Sequence, residues 1–165
     1  MVKIRWILTD TIDDDDLDGF DVQWNGIYGY FQIAINHQEI GFYPDRELFL
    51  DEEGDEDILY WLSNLSDGIL QSKYGQKYEI QLLSMNRAKI ILKQEDRLKF
   101  ILADSDTSEV IWIEEIEVQD MCSELVKNIE RFMQEIKKQS CVLLESKSIK
   151  KLLTSKDMLN DYLAH

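Results

Sequence analysis

The chain contains few of the residues that define disulfide-rich or membrane proteins. Cys122 and Cys141 are the only cysteines in 165 residues, so no disulfide framework is predicted. No apolar run approaches the roughly 18 residues of a membrane span. The apolar stretch in MVKIRWILTD is too short for a signal peptide, and acidic residues follow it. These features predict a cytoplasmic protein whose thiols stay reduced.

Basic residues are scarce in the first third of the chain. Residues 1–60 hold 16 acidic residues against three basic ones, whereas residues 61–165 hold 17 and 15. The net charge of −15 is therefore concentrated near the N-terminus. Such a negative field repels phosphate groups, so binding to nucleic acid or to an anionic membrane is not expected. The same field favours metal ions, basic peptides and positively charged proteins.

The length and composition predict a single domain over residues 1–165. A chain of this size that is 44% hydrophobic can bury its own core without metals or disulfides. Alternation in VKIRWIL predicts a strand at 2–8, and branched and aromatic residues predict strands at about 20–24, 28–35 and 39–43. A turn at Asn36 and His37 joins the last two, and the only proline, Pro44, ends the last strand.

Helical and strand periods alternate in the rest of the chain. After the acidic cluster DEEGDED (51–57), apolar residues at helical spacing predict a helix that Asp55 caps and Gly68 ends. Period-two alternation from 76 to 117 predicts four strands joined by short turns, and hence an antiparallel meander. Two helices follow, at about 118–139 and 147–163. The predicted fold is α+β: an antiparallel sheet of N-terminal strands plus the four-strand meander, one inserted helix and two C-terminal helices.

The Asp-rich segment TIDDDDLDGFDVQW is the first candidate site. Asp14, Asp16 and Asp18, followed by a glycine, fit the first half of a calcium loop, in which alternate carboxylates converge on a hard cation. The second half does not fit, because Asn25 stands where a bidentate glutamate should complete the shell. Three interpretations remain open: a calcium site through these three aspartates, a solvated loop, and a surface for a protein partner.

Signals for catalysis are weak. The sequence HQE at His37 is similar to part of a zinc-deaminase motif, but no C-x-x-C supplies further ligands, so a turn histidine is favoured. Cys122 lies beside an apolar helical stripe, and Cys141 has no histidine near it in sequence, so neither is expected to be a nucleophile. Nucleotide-binding and nucleophile-elbow motifs are absent from the sequence. The sequence therefore predicts a protein that is not an enzyme, and an enzyme of unknown type stays open as an alternative.

Aromatic residues crowd the same acidic first third. Most are expected in the core, but aromatic anchors ringed by carboxylates also suit a binding site for a Lys- or Arg-rich surface. The residues predicted to form this partner-binding surface are Asp13, Asp14, Asp15, Asp16, Asp18, Asp21, Trp24, Asp51, Glu52 and Glu53.

Three features together carry a family resemblance. They are the aspartates from Asp13 to Asp21, the strand region WNGIYGYF, and the helical segment ILYWLSNLSDGIL. In overall plan and charge the chain resembles the small acidic immunity proteins that bacteria encode beside polymorphic toxins. The resemblance implies a non-enzymatic inhibitor that binds and blocks a basic toxin domain.

Overall fold

The computed structural model describes residues 1–12, 20, 26–85 and 87–165. Eight strands and three helices lie wholly within these residues. The strands are β1 (Val2–Leu8), β2 (Tyr28–Ile35), β3 (Gln38–Gly41), β4 (Glu56–Asp57), β5 (Tyr78–Gln81), β6 (Ala88–Gln94), β7 (Leu98–Asp104) and β8 (Val110–Ile116). The helices are α1 (Ile58–Ser72), α2 (Val118–Gln139) and α3 (Lys147–Ala164), with a 3-10 turn at Val142–Glu145. The α+β class with antiparallel strands is confirmed.

The N-terminal strands form a sheet of their own. β2 lies at its centre, between β1 on one side and β3 and β4 on the other, and all the pairs are antiparallel. The register places Trp6 opposite Phe31, on the face that packs into the core. The β2–β3 turn uses Asn36 and His37 as predicted, and Asn36 adopts a positive φ of 53° there. The strand predicted at 20–24 falls on residues outside the described ranges, apart from Phe20.

β3 is shorter than its predicted range of 39–43. It ends at Gly41, before the proline expected to stop it. Gly41 has a φ of +82°, and a Cβ there would lie 2.2 Å from the carbonyl oxygen of Phe31. The backbone therefore turns away from the sheet at the residue that alone tolerates this conformation and this close approach.

The four strands predicted between 76 and 117 form a second antiparallel sheet, in the order β5-β6-β7-β8. This confirms the predicted meander, whose short turns leave neighbouring strands little choice of partner. Residues alternate between the two faces, so that Leu92 and Phe100 pack inward while Ile91 and Ile101 lie opposite each other on the outer face. A register shift interrupts the β7–β8 ladder near Ala103.

Helix α1 begins two residues later than an Asp55 cap would require. Its N-cap is Asp57, whose carboxylate accepts a hydrogen bond from the backbone N–H of Tyr60. Because Glu56 and Asp57 pair with β2 as strand β4, the chain is still extended at Asp55. The predicted Asp55 cap is therefore wrong.

Gly68 does not end α1 as predicted. The helix continues to Ser72, and Gly68 lies against the second sheet. A Cβ at Gly68 would lie 2.5 Å from Cδ1 of Leu92 and 2.9 Å from Cδ1 of Tyr78. The glycine therefore permits the helix to approach β5 and β6 closely, which is a role that helix-end patterns do not reveal.

The core joins both sheets to all three helices. Helix α1 contacts β2, β5 and β6 as well as α2 and α3. Phe31 of the first sheet stacks on Trp61 of α1, with ring centroids 4.5 Å apart. Within the described part of the chain, no helix has the length and apolarity needed to cross a membrane.

The outer edge of β1 is covered by side chains of α2. Glu124 accepts a hydrogen bond from the backbone N–H of Ile4 at 2.9 Å, and Arg131 donates to the carbonyl oxygen of Trp6 at 3.0 Å. Asn128 accepts from the indole N–H of Trp6 at 3.0 Å. Polar groups of a strand edge that would otherwise be open are thus satisfied within the molecule.

Candidate functional site: the acidic loop between β3 and β4

Residues 42–55, which join β3 to β4, form the candidate site and are called the acidic loop below. The loop holds six acidic residues and one basic residue. The acids are Asp45, Glu47, Asp51, Glu52, Glu53 and Asp55, and the base is Arg46. Three of the predicted partner-binding residues therefore lie in this loop.

A bidentate ion pair between Arg46 and Glu52 holds the loop together. The two guanidinium nitrogens Nη1 and Nη2 donate to the two carboxylate oxygens of Glu52, each at 2.8 Å. Such paired charge-assisted bonds fix geometry more firmly than single ones. The hydrogen bonds from Arg46, followed by one from the backbone N–H of Phe49, lower the pKa of Glu52 to about 2. Glu52 is therefore ionised throughout the physiological pH range.

Further hydrogen bonds attach the loop to the first sheet. Tyr30 of β2 donates from its hydroxyl to Glu52 at 2.9 Å, and Thr9 accepts from the backbone N–H of Gly54 at 2.9 Å. Hydrogen bonding to Glu52 raises the pKa of Tyr30, so its hydroxyl keeps the proton that it donates. The C-terminal part of the loop is thus attached to the first sheet, and the fold sets its conformation.

The ion pair between Arg46 and Glu52, called the Arg46–Glu52 clamp, keeps a pair of apolar side chains in solvent. Leu50 is 94% exposed and Phe49 is 71% exposed, and they form the tip of the loop. Phe42, 58% exposed, packs edge-on against Tyr30 with ring centroids 5.8 Å apart. The guanidinium of Arg46 lies 4.6 Å from the ring centroid of Phe49 and so fixes the position of that ring. An ordered loop that exposes large apolar groups is typical of a binding surface.

The predicted surface acids of this loop have different environments. Asp51 and Glu53 are exposed, and Asp51 adopts a positive φ of 61° at the turn that follows the tip. Glu52 is only partly exposed, because its carboxylate binds Arg46, Tyr30 and the backbone of Phe49. Asp51 and Glu53 are therefore the two of the three whose carboxylates face solvent at the surface.

The acids that follow the loop are buried and structural. Glu56 accepts a hydrogen bond from the indole N–H of Trp61 at 2.7 Å and another from the hydroxyl of Ser84. Asp57 accepts from the backbone N–H groups of Ile27 and Tyr60 at 3.3 and 3.1 Å. Burial raises the pKa of Asp57. These two carboxylates hold β4 and α1 in place, so they lie out of reach of a partner.

The remaining predicted partner-binding residues lie outside the described residues. They are Asp13, Asp14, Asp15, Asp16, Asp18, Asp21 and Trp24. The candidate calcium ligands Asp14, Asp16 and Asp18 are among them. Among the residues that the structure does describe, no cluster of His, Cys, Asp or Glu is arranged to hold a metal ion.

The three weak catalytic candidates lie apart from one another in the fold. His37 is exposed in the β2–β3 turn. Cys122 is buried in α2, and burial raises the pKa of its thiol to about 11. Cys141 is exposed after the end of α2, where its thiol faces the backbone carbonyl of Lys137. The fold does not bring these side chains together with the acidic loop.

Sequence reasoning missed the apolar tip of the loop. The crowding of aromatic residues in the first third of the chain predicts a core position for Phe42 and Phe49, and no pattern in the sequence singles out Leu50 or Arg46. The available signal was the pair Phe49–Leu50, which lies directly before three acids and fits neither a helical nor a strand period. Two adjacent apolar residues that have no apolar neighbours at helical or strand spacing, in a loop rich in charged residues, indicate that their side chains are exposed.

Comparisons with known proteins identify no relative. No family model, curated protein or solved structure matches the chain.

Proposed function

We propose that this chain is a non-enzymatic binding protein whose acidic loop docks on a basic protein partner. One observation carries the proposal. The Arg46–Glu52 clamp holds the loop in a fixed conformation in which Phe49 and Leu50 stay exposed among carboxylates. Phe49 contacts Arg46 within the molecule, but most of its surface and nearly all of Leu50 stay exposed, and an intermolecular role accounts for that exposure.

The apolar tip supplies the anchor of such an interface. Burying a leucine or phenylalanine side chain is worth about 1.5–3 kcal/mol. Binding energy usually concentrates in a few such residues near the centre of an interface, surrounded by polar groups. Because the loop is already ordered by hydrogen bonds to Tyr30 and Thr9, little conformational entropy is lost when it binds.

The carboxylates around the tip set the chemistry of the partner. Asp51, Glu53 and the other exposed acids of the loop form the rim of the surface, and a basic rim on the partner complements them. Charges at a rim mainly accelerate association and select the partner, and salt screens them. We therefore expect the interface to combine an apolar pocket with surrounding Lys and Arg side chains.

The resemblance to bacterial immunity proteins gives the proposed biological role. In that role the partner is a basic toxin domain, and this chain blocks it by occupying its surface. The chain needs no catalytic group for this purpose. A rigid, preorganised loop also suits an inhibitor that acts by covering the surface of the toxin domain, because little conformational entropy is lost on binding.

Affinity capture with three variants tests the binding surface. The anchor variant is Phe49→Ala with Leu50→Ala, and the rim variant is Asp51→Asn with Glu53→Gln. The control is Tyr74→Ala with Met158→Ala, which removes exposed apolar groups elsewhere. Each protein is immobilised, exposed to lysate of the source organism, and washed at about 0.05 or 0.5 M NaCl. Mass spectrometry then quantifies what is retained.

We expect the wild type and the control to retain the same basic protein at low salt. The anchor variant should lose it by about tenfold or more, because about 1.4 kcal/mol corresponds to a factor of ten. The rim variant should show weaker retention and a smaller dependence on salt. Retention that is equal in the wild type and the anchor variant would overturn the proposed surface.

The inhibitory role has its own test. The captured protein is expressed in a bacterial host, alone and together with the wild type, the anchor variant or the control. Growth arrest by the captured protein, relieved by the wild type and the control but not by the anchor variant, is the expected result. A captured protein that is harmless when expressed alone contradicts toxin neutralisation, although it leaves binding through the loop intact.

A further inference from the structure

Arg5 of β1 attaches the first half of the acidic loop to the first sheet. Its Nη1 donates to Oδ1 of Asp45 at 2.7 Å, and its guanidinium carbon lies 4.7 Å from the ring centroid of Tyr43. Pro44, between these two loop residues, is buried. The contacts of Arg5 are separate from the Arg46–Glu52 clamp, which orders the second half of the loop. Each half therefore has an arginine of its own.

Gln32 of β2 fixes the direction of the Arg5 guanidinium. The two residues are cross-strand partners, and Oε1 of Gln32 accepts from Nε of Arg5 at 3.0 Å and also from Nη2. The side-chain nitrogen of Gln32 donates to Glu39 of β3 at 3.2 Å, and Gln32 is buried. A planar guanidinium that is held through Nε and Nη2 presents Nη1 in a fixed direction. The sheet itself therefore aims Arg5 at Asp45.

The contacts of the two arginines connect β1 to the apolar tip. Asp45 and Arg46 are adjacent in the chain, so the residue that Arg5 binds stands next to the arginine of the clamp. The guanidinium of Arg46 in turn lies 4.6 Å from the ring centroid of Phe49. A displacement of Asp45 from β1 would therefore move the clamp and the tip as well.

The charge of Arg5, taken alone, opposes binding to a basic partner. Arg5 is one of three basic residues among residues 1–60, and its side chain is 26% exposed. A positive charge beside an acidic surface weakens the attraction for a positively charged protein. Removal of this charge favours binding electrostatically, whereas release of the loop disfavours it. The two effects of Arg5 thus predict changes in affinity of opposite sign.

We infer that Arg5 is a positioning residue of the proposed binding surface. Through Asp45 it holds the tip at Phe49 and Leu50 in the conformation that binds the partner. The inference rests on the proposed function and adds the residue on which the shape of its surface depends. A loop that is held against β1 loses little conformational entropy on binding, whereas a released loop must first be ordered.

Two matched pairs of variants test this role by NMR relaxation on the full chain. Arg5→Gln is paired with Lys3→Gln, which removes the same charge from the same face of β1. Asp45→Asn is paired with Glu47→Gln, which removes the same charge from another exposed acid of the loop. Asp45 is 75% exposed, so its substitution breaks the ion pair without disturbing the sheet. Backbone amide order parameters are measured for residues 45–50, and for α2 as a check on the fold.

We expect the amides of residues 45–50 to lose order in both variants that break the ion pair. Their order parameters should fall from the roughly 0.85 of rigid backbone to below about 0.6 in Arg5→Gln and Asp45→Asn. The two control variants should keep the wild-type values, and α2 should be unchanged in every protein. Wild-type order parameters in both Arg5→Gln and Asp45→Asn would overturn the inference.

Affinity for the captured protein separates positioning from charge. Calorimetric titration with that protein, purified, gives the dissociation constant of each variant at low salt. Arg5→Gln should bind about fivefold or more weakly than the wild type, whereas Lys3→Gln should bind equally or more tightly. If the wild type retains no basic protein, the proposed function fails. If it retains one that Arg5→Gln binds as tightly or more tightly, only the inference about Arg5 fails.

Discussion

Glu52 shows how a single acidic residue can organise its surroundings without facing a partner. Its carboxylate accepts two bonds from Arg46 and one each from Tyr30 and the backbone of Phe49. These hydrogen-bond donors compensate the negative charge of Glu52. The conformation of the acidic loop depends on that charge, because the bonds from the donors are strongest when the carboxylate is ionised. The free energy of this arrangement is linked to pH, because the pKa of Glu52 falls from its ordinary 4.5 to about 2 on folding.

The direction of the pH effect follows from that lowered pKa. A carboxyl group with a depressed folded-state pKa adds stability above its unfolded pKa, and this stability is lost as the pH falls through the folded value. Glu52→Gln should therefore unfold at lower urea than the wild type at pH 7. The difference should shrink below about pH 4.5 and vanish near pH 2. Urea midpoints at pH 7, 4 and 2 measure it.

Glu47→Gln is the matched control for this experiment, since Glu47 is an exposed acid of the same loop. Its urea midpoint should stay close to that of the wild type at all three values of pH. A difference between Glu52→Gln and the wild type that is the same at pH 7 and pH 2 would contradict the assignment of the clamp to ionised Glu52.

The run DEEGDED marks the limit of prediction at the scale of residues. The sequence predicts a charged turn before a helix, and this is what the structure contains. It does not predict that the run divides into an internal clamp at Glu52, buried carboxylates at Glu56 and Asp57, and exposed ones between them. That division depends on Arg46, Tyr30 and Trp61, whose positions are fixed only when the sheet and α1 come together.

Among the elements, the meander and the long helices follow from sequence more directly than the path of α1. Strands of four to seven residues that are joined by short turns favour pairing between neighbours, which gives the antiparallel meander. The amphipathic pattern of α2 extends over its whole length. Because glycine often ends a helix, the sequence predicts that Gly68 ends α1. Its actual role depends on Leu92, a residue of another element, and no local pattern contains that information.

Gly68→Ala tests this role. Alanine in a helix interior normally stabilises it by about 1 kcal/mol relative to glycine. Here the new Cβ would meet Leu92 and Tyr78 at 2.5 and 2.9 Å, and overpacking of this kind costs about 1–3 kcal/mol. We expect net destabilisation of about 1 kcal/mol, visible as a lower urea midpoint. The control is Gln71→Ala, at an exposed position of the same helix, which should be neutral or slightly stabilising. An increase in the stability of Gly68→Ala would show that α1 packs loosely against β5 and β6.

On the scale of the whole molecule, the sequence shows the distribution of charge but does not predict the apolar tip of the proposed binding surface. Counting acids and bases gives the excess in the first third of the chain and favours a basic partner. The exposed tip at Phe49 and Leu50 depends on the Arg46–Glu52 ion pair within the loop and on the bond from Gly54 to Thr9, which lies 45 positions away in the sequence. Amino-acid composition gives the net charge of the molecule and where it is concentrated. Which apolar side chains stay exposed depends on the folded structure.

Salt should stabilise this protein. An excess of 15 negative charges repels itself in the compact state, and screening over a Debye length of about 10 Å weakens that repulsion. The exposed ion pairs of the structure lose strength at the same time, but each is worth about 1 kcal/mol or less. We expect the melting temperature at pH 7 to rise between about 0.01 and 0.15 M NaCl. Scanning calorimetry measures it.

The rim variant, Asp51→Asn with Glu53→Gln, provides the comparison for the salt experiment. It removes two negative charges from the acidic loop while leaving the Arg46–Glu52 clamp in place, so its melting temperature should depend less on salt. A melting temperature of the wild type that falls as salt is added would mean that ion pairs, and not self-repulsion, dominate the electrostatics of the fold.

The cover that α2 places over β1 has a consequence for the order in which the molecule is made. Glu124 and Arg131 lie 120 and 125 positions after the strand residues whose backbone they bind. Contacts so distant in sequence slow folding, because a long loop must close before they form. During synthesis the first four strands emerge well before these two side chains exist. The backbone groups at the edge of β1 therefore gain their partners only after α2 has been synthesised, and not when the N-terminal strands emerge.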